Sequence, residues 1–544
     1  MTAVFLQNEL QSIIQESKRK LPEARTAAEK SLADLKGLSI TSESQLSGDL
    51  VRKPHFIEPF VLACRSRNVK LATLGIGCLQ RLAAGRAIPR ERLSDVLDAL
   101  REVASLSLDI QLKILQTLPS LLQLYSSDIR GPLLAAALEI CDTLQGSKTA
   151  VVSSTAEATF QQLVTTVYDR VSVEDSQPTG ASSLSAQVGS ETVTLGPAAH
   201  DAFQVFADLC ALANATQPTF VQLKTSSPHF LLEVIGSIAA NYNSILAQHS
   251  EQLEVCRSSL LPALNKLLTS KSTFAVLVRA LRVVYVLLRQ HLRQMVVEFE
   301  DGLFSMISLL EPNSGQPWRR VLSMEVFRGL FSDASLFRDL YRFYDDVEDR
   351  KNVVGDLLGA FVRIASEDPT LIGLGRQSTM PSQHGDEANG DGITSFQVSD
   401  IGGAVGGVVA ANATVTGLSI EWSSMKVPCL EQLDKSNLSD IPNTYIYSLV
   451  LNCMSALAEG MSRFIMPLSM PGKVYVQRTK SAKTTEIGTG EEESRPGPVR
   501  SMSTHPQSRL MNPLTIRDHP QIEELSACAR MIDDCWPPIL ATCS

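Results

Sequence analysis

Val69-Lys70-Leu71-Ala72-Thr73-Leu74-Gly75-Ile76-Gly77-Cys78-Leu79-Gln80-Arg81-Leu82 repeats its apolar residues every three or four positions, the spacing of one helix face. The stretches 93–106, 110–124 and 133–144 repeat the pattern. Gly85-Arg86, Pro89, Ser126-Ser127 and Gly131-Pro132 break it between them. Upstream, Phe5, Leu6, Leu10, Ile13 and Ile14 share a face, with Glu9, Glu16 and Lys18 on others. Asn68-Val69, Asp109-Ile110 and Ala150-Val151 follow one another at intervals of 41 residues, and a helical stretch follows each. Leu74, Leu115 and Ala156 take matching positions. That period is the armadillo or HEAT spacing. Such units cannot bury their apolar faces alone, so neighbours stack. The fold class expected is therefore all-α, an armadillo/HEAT-like helical solenoid in two arrays joined by flexible linkers.

The remaining boundaries follow composition. Residues 1–172 form the first helical domain. Residues 173–197, rich in Ser, Thr, Gly and Gln, read as a flexible linker. Helical pattern resumes over 198–374, with Pro218, Pro228 and Pro262 at helix starts or breaks. Its strongest helix is 275–297, striped by Leu277, Leu281, Val284, Leu288, Leu292 and Met295. A second flexible linker covers 375–441. A helical segment at 442–468 turns Ile446, Leu449, Val450, Cys453, Leu457, Met461 and Phe464 to one side. A polar stretch, 469–520, is expected to be disordered. A further helical region starts in 521–544, where Trp536-Pro537-Pro538 opens an apolar run with no C-cap, as if the chain were cut.

The 544 residues exceed what one core organises, and 44% hydrophobic against 20% charged residues is ordinary for a folded soluble protein. A net charge of −9 argues against nucleic-acid binding through overall basicity. Ten cysteines include no Cys-x-x-Cys pair and sit mostly in apolar patterns, as reduced core residues of a cytosolic protein do. No signal peptide precedes the first helix. The uncharged stretch 401–420 is too rich in Gly, Ala, Thr and Asn to insert in a bilayer, and reads as linker.

No catalytic, cofactor-binding or metal-ligating set emerges. The eight histidines form no His-Glu-x-x-His or Cys/His set, and neither a phosphate loop nor a Gly-x-Ser-x-Gly elbow is present. Two clusters stand out. Arg279, Arg282, Arg289 and Arg293 could present a face to an acidic partner or anionic lipid, a solvated ion-paired face being the commoner outcome. Tyr341-Arg342-Phe343-Tyr344 runs into Asp345, Asp346, Glu348 and Asp349, where carboxylates can cap a helix and hold an inter-helix corner. Ser501 and Ser503 follow a basic residue, as phosphorylation sites often do.

Several blocks resemble a known family. Phe5-Leu6-Gln7-Asn8-Glu9-Leu10, Val69-Lys70-Leu71-Ala72 and Leu79-Gln80-Arg81-Leu82 resemble the DCB domain (dimerisation and cyclophilin binding). Ser259-Leu260-Leu261-Pro262-Ala263-Leu264 through Leu287-Leu288-Arg289 resembles the HUS domain (homology upstream of the Sec-seven domain). Tyr344 and Asp345 match two positions of an Asn-Tyr-Asp-Cys type HUS box, with Phe343 in place of Asn and Asp346 in place of Cys. Cys535-Trp536-Pro537 and Leu540-Ala541-Thr542 resemble a segment after the HUS region. The pattern is similar to the DCB–HUS region of the monensin-sensitivity (Mon-two) family, relatives of the large Sec-seven Arf exchange factors.

The resemblance implies a cytoplasmic scaffold, peripheral on trans-Golgi network and endosome membranes, in vesicle-mediated protein transport and without catalysis. It implies a homodimer whose partners are an Arf-like small GTPase and a Dopey-type scaffold working with a flippase. The exchange domain's catalytic glutamate loop is not found. Residues 198–374 are expected to dock on 1–172, with Tyr344 and Asp345 holding a corner. Two alternatives stay open: a regulatory fragment of a true Arf exchange factor, and a cargo-binding solenoid of nuclear-transport type.

Overall fold

The structure is a computed structural model, and it describes residues 2–17, 21–38, 43–177, 183–312, 317–367, 443–469 and 522–543. The segment 401–420, Ser501 and Ser503 lie outside them. The chain divides into two compact units, Met1–Glu298 and Phe299–Ser544.

Unit 1 opens with α1 (Ala3–Glu16), α2 (Pro22–Lys36) and α3 (Glu43–Val51). Three helical pairs follow: α4 (Glu58–Arg65) with α5 (Val69–Ala84), α6 (Leu93–Val103) with α7 (Leu108–Leu124), and α8 (Pro132–Gln145) with α9 (Ala150–Asp175). The starts of α5, α7 and α9 track the 41-residue repeat. Leu115 and Ala156 are buried, and Leu74 half-buried. One row stacks α2, α4, α6 and α8; the other stacks α1, α5, α7 and α9. This is the layering of an α-solenoid, in which each pair covers its neighbour's apolar face.

Side-chain bonds give the direction within each row. Arg92 at the start of α6 reaches Glu58 at the start of α4, and Arg65 and Glu102 pair at the opposite ends, so α4 and α6 run parallel. The Tyr125 hydroxyl, at the C-terminus of α7, accepts from the Ile88 N–H just past α5 at 3.0 Å. Arg170, near the end of α9, donates to the Leu122 and Ile129 carbonyls beyond the middle of α7. The helices α5, α7 and α9 are therefore parallel, with all three N-termini on one edge of the array.

The stretch 173–197 was expected to be a flexible linker, and its described residues correct that. The helix α9 runs on to Asp175, and β1 (Leu184–Val188) pairs antiparallel with β2 (Glu191–Leu195), from Leu184↔Leu195 to Val188↔Glu191. Gly189 and Ser190 form the two-residue loop, and Gly189 takes φ +59°, as a II′ hairpin turn asks of its first residue. Small and polar residues in both strands disguise the alternation as linker composition. Ala186 and Leu195 are buried, and the hairpin packs on α10.

Unit 1 continues with α10 (Pro197–Ala213), α11 (Pro228–Asn241), α12 (Asn243–Gln248), α13 (Ser250–Val255), α14 (Leu261–Thr269) and α15 (Phe274–His291). The helix α10 packs on α9, α11 on α10 and α15, and α14 on α15. The helix α16 (Val296–Ser308) spans the division between the units, which thus falls inside the range 198–374.

Unit 2 holds α17 (Pro317–Ser332), α18 (Ala334–Leu340), a π-turn at Tyr341–Asp345, α19 (Val353–Ala365), α20 (Asn443–Ser469) and α21 (Ile522–Cys543). Its core centres on Phe331, whose ring meets Phe337 edge-on at 5.5 Å and Phe361 at 6.3 Å. The helix α20 lies along α17 with Leu449, Val450, Cys453, Leu457 and Met461 buried, as the stripe requires; the side chains of Ile446 and Phe464 lie outside the described residues. Trp536-Pro537-Pro538 opens no helix of its own, because α21 begins at Ile522 and passes through both prolines.

Candidate interaction interface

The joint between the two halves of unit 1 is built by carboxylates buried in helices. Asp142 of α8 accepts from the backbone N–H groups of Lys224 (2.7 Å), Thr225 (3.1 Å) and Ser226 (2.8 Å), and from the Ser226 hydroxyl at 2.6 Å. Four donors on one buried carboxylate tie the segment before α11 to the end of α8. Asp208 of α10 does the same for its own loop, accepting from the N–H groups of Thr219, Phe220 and Val221 at 2.6–2.8 Å. Asp201 accepts from the Gly131 N–H at 3.0 Å. Burial pushes the Asp201 carboxyl above its ordinary range, against the pull of that N–H and of Arg130.

The helix α9 forms the shared wall. Glu174 caps α10 by accepting from Ala198 and Ala199 at 3.0 Å. Tyr168 is fully buried, donates to Gln252 Oε1 at 3.0 Å and lies 5.0 Å from the Tyr242 ring. The Tyr242 hydroxyl returns to Asp169 at 2.7 Å. Phe160 meets Phe230 edge-on at 5.5 Å. A groove of about 1550 Å³ runs beside this wall, bordered by Arg130, Asp169, Glu174, Thr194 and His249.

His249 closes the groove. Its Nδ1 lies 2.8 Å from Glu251, and its Nε2 lies 3.2 Å from Asp175 at the end of α9. The Glu251 hydrogen bond raises the imidazole's affinity for its proton above the ordinary value; burial opposes this and Asp175 reinforces it. A raised folded-state value means the imidazolium's stabilisation is complete below the ordinary 6.5 and is lost as pH rises through the folded value. The melting temperature of the chain should therefore fall as pH rises above 6.5. His249→Gln should flatten that slope, as read by thermal melts at increasing pH; an unchanged slope would show that the pair contributes nothing.

The four arginines do not share a solvent face. Arg279 and Arg282 are buried and both bind Glu233 of α11, at 3.1 and 3.0 Å, while Arg289, in the last turn of α15, and Arg293, just beyond it, are exposed. From Leu277 to Leu288, α15 is covered on every side, so its charges meet protein rather than water. A helical wheel shows the arginines together but not the glutamate that α11 brings.

Tyr344 is wholly buried in the π-turn, 6.0 Å from the Arg350 guanidinium. Asp345 caps α19, accepting from the N–H groups of Val354 and Gly355 at 2.9 Å each. Burial pushes its carboxyl up to about 6; the two N–H groups oppose this, and Asp356 and Asp534 add to it. Its described hydrogen bonds stay within unit 2. Asp346 receives Arg530 of α21 through two bonds of 2.6 and 2.7 Å, and the Tyr341 hydroxyl reaches Asp534.

Among the described residues, no group of three His, Cys, Asp or Glu could hold a metal ion, and no helix is long and apolar enough to cross a membrane. Burial pushes the Cys64 and Cys256 thiols up to about 12, so both stay protonated core residues. Reading the chain as sequence misses Asp142, Asp201 and Asp208. The available signal was an acid in the apolar run of α8, and two acids one heptad apart on an otherwise apolar face of α10.

Comparison with known proteins places both halves. A model of the Mon2/Sec7/BIG1-like dimerisation and cyclophilin-binding (DCB) domain matches residues 2–175, and one of the Mon2/Sec7/BIG1-like HUS domain matches 198–353. Protein MON2 of Saccharomyces cerevisiae is 30% identical over 498 residues, 90% of this chain and 28% of that protein. The Protein MON2 homolog of Schizosaccharomyces pombe is 27% identical over 85% of this chain and 27% of its own length. The Homo sapiens homolog is 25% identical over 99% and 32%. The chain thus spans under a third of the length of these relatives. A solved engineered protein overlays with a TM-score of 0.27 at 12% identity, over 87% of this chain and 97% of its own, too loosely to carry an argument. With two domain matches that together span more than half of its length, the chain belongs to the Mon2/Sec7/BIG1-like family and carries that family's DCB and HUS domains.

Proposed function

We propose that this chain is the interaction platform of a non-catalytic scaffold in Golgi and endosome vesicle-mediated protein transport, peripheral on the cytoplasmic side of trans-Golgi network and endosome membranes. The observation that supports this best is the fusion of the DCB segment and the first part of the HUS segment into one helical unit. Asp142, Asp201 and Glu174 spend their oxygens on backbone N–H groups across that joint. Carboxylates engaged in this way fix the two segments to each other. A DCB model described as a dimerisation domain supports a homodimer. An Arf-like small GTPase and a Dopey-type scaffold working with a flippase are the partners this reading expects.

The test uses the whole purified chain. Light scattering after size-exclusion chromatography should give a concentration-dependent dimer. Capture on an immobilised Arf-like GTPase should be stronger in the GTP state, with no acceleration of nucleotide release. A strict monomer that captures neither nucleotide state would overturn the platform reading. Accelerated release would make the chain part of an exchange factor instead.

A further inference from the structure

The parallel arrangement of α5, α7 and α9 brings three helix starts to one edge of unit 1, and each start carries an exposed aliphatic residue. Val69 is 48% exposed, Leu108 48% and Val151 59%, although their helices are otherwise apolar toward the core. All three lie in the first turn of their helices, so the repeat itself sets them in a line. Packed helix axes lie about 9 Å apart, which spaces these side chains as separate teeth. Val4 is also exposed but is not part of this edge: its neighbour Phe5 stacks under Arg81, close to the C-terminal end of α5.

Cations bracket the teeth. Arg67 and Lys70 flank Val69, and Lys148 lies three residues before Val151; all three are exposed. Asp109 beside Leu108 is the opposing charge, and Lys113 pairs with it at 3.2 Å. Arg65, at the C-terminal end of α4, is matched by Glu102. The edge therefore keeps an excess of positive charge in a protein of net charge −9. The positive ends of three helix dipoles point the same way.

We propose that this edge rests directly on an anionic lipid bilayer, with Val69, Leu108 and Val151 in the headgroup–acyl boundary and Arg67, Lys70 and Lys148 on the lipid phosphates and carboxylates. A protein partner is the poorer fit. The core of a protein interface is a contiguous apolar patch depleted of lysine, whereas here isolated aliphatic teeth alternate with lysine and arginine. At a lipid surface that alternation is favourable, because long basic side chains lay their stems along the apolar boundary and keep their charges in the headgroups. The inference rests on the reading that the chain works at a membrane, and adds a lipid contact that recruitment by proteins alone would not need.

The experiment is vesicle flotation of the purified whole chain, on phosphatidylcholine and on phosphatidylcholine containing about one-third phosphatidylserine. The expected result is binding to the anionic vesicles, weakened by salt. Reversing three charges together (Arg67→Glu, Lys70→Glu, Lys148→Glu) should weaken it by more than about 100-fold, since losing each surface cation costs about a factor of five and each glutamate adds repulsion. Replacing the teeth together (Val69→Ser, Leu108→Ser, Val151→Ser) should weaken it about tenfold. All six positions are exposed, so the melting temperatures of both triple variants should match the parent. Leu108→Trp should add emission that brominated acyl chains quench beyond the quenching of the parent.

A parent chain that floats with neither vesicle overturns the proposal. The platform reading survives that result, because its dimer and GTPase-capture tests need no lipid. Undiminished flotation of both triple variants also overturns it. So does a serine variant that loses the dimer yet keeps its vesicle binding, which would make the edge a protein interface.

Discussion

Asp142→Ala is expected to cost unit 1 about 4 kcal/mol, within the range for removing one partner from a buried charged network. The reason is the number of donors left behind. Three backbone N–H groups and one hydroxyl, from Lys224 to Ser226, converge on this carboxylate, which is 2% exposed. Each buried donor left without an acceptor costs about 1–3 kcal/mol, and water reaching the exposed Lys224 and Thr225 recovers part of that. Asp142→Asn keeps one acceptor oxygen and should cost about half as much. Urea unfolding gives the size of the effect, and amide exchange over residues 222–230 gives its location. Disrupting the pair of Arg90, 76% exposed, with Asp128 should cost under about 1 kcal/mol. If Asp142→Ala costs no more than that, the carboxylate does not hold the two halves together.

The same residues show which parts of the molecule could be read in advance. The apolar spacing from Val69 to Leu82 places α5 to within two residues of its end, and the 41-residue interval anticipates the starts of α5, α7 and α9. This works because a helix that must bury one face writes its period into its own sequence. Contacts between elements leave no such local trace. Arg279 and Arg282 look like a solvent face until α11 supplies Glu233. Asp345 suggests a cap, and its partners, Val354 and Gly355, lie nine and ten residues on, within local reach. Its neighbour Asp346 is bound by Arg530, 184 residues away, which no local pattern could announce. The hairpin at 184–195 was legible in principle, since two five-residue runs flank Gly189-Ser190. Its small and polar strands carried too little apolar alternation to stand apart from linker composition.

Gly460→Val should be the most damaging single change in unit 2. A Cβ at Gly460 would stand 2.8 Å from the Phe331 carbonyl oxygen, a distance that real Cβ atoms essentially never show. The obstructing atom is backbone, so no rotamer change relieves it, and α20 has to lift from α17. Overpacking costs about 1–3 kcal/mol, and the fixed backbone puts this site at the upper end, about 3 kcal/mol. Lifting also uncovers Leu449, Val450, Cys453 and Leu457 at the very place where Phe331 gathers Phe337 and Phe361. The variant should therefore bind a hydrophobic dye before it unfolds, as a loosened core does. Gly77→Ala in α5 is the matched comparison. Nothing lies within 4 Å of a Cβ there, so the substitution should gain about 1 kcal/mol from helix propensity alone. Both changes add side-chain carbon to a helical glycine, and opposite signs would isolate the α17–α20 contact as the cause. A Gly460→Val chain that melts with the parent would mean that residues 443–469 contribute nothing to the stability of unit 2, and that Phe331 needs no cover from them.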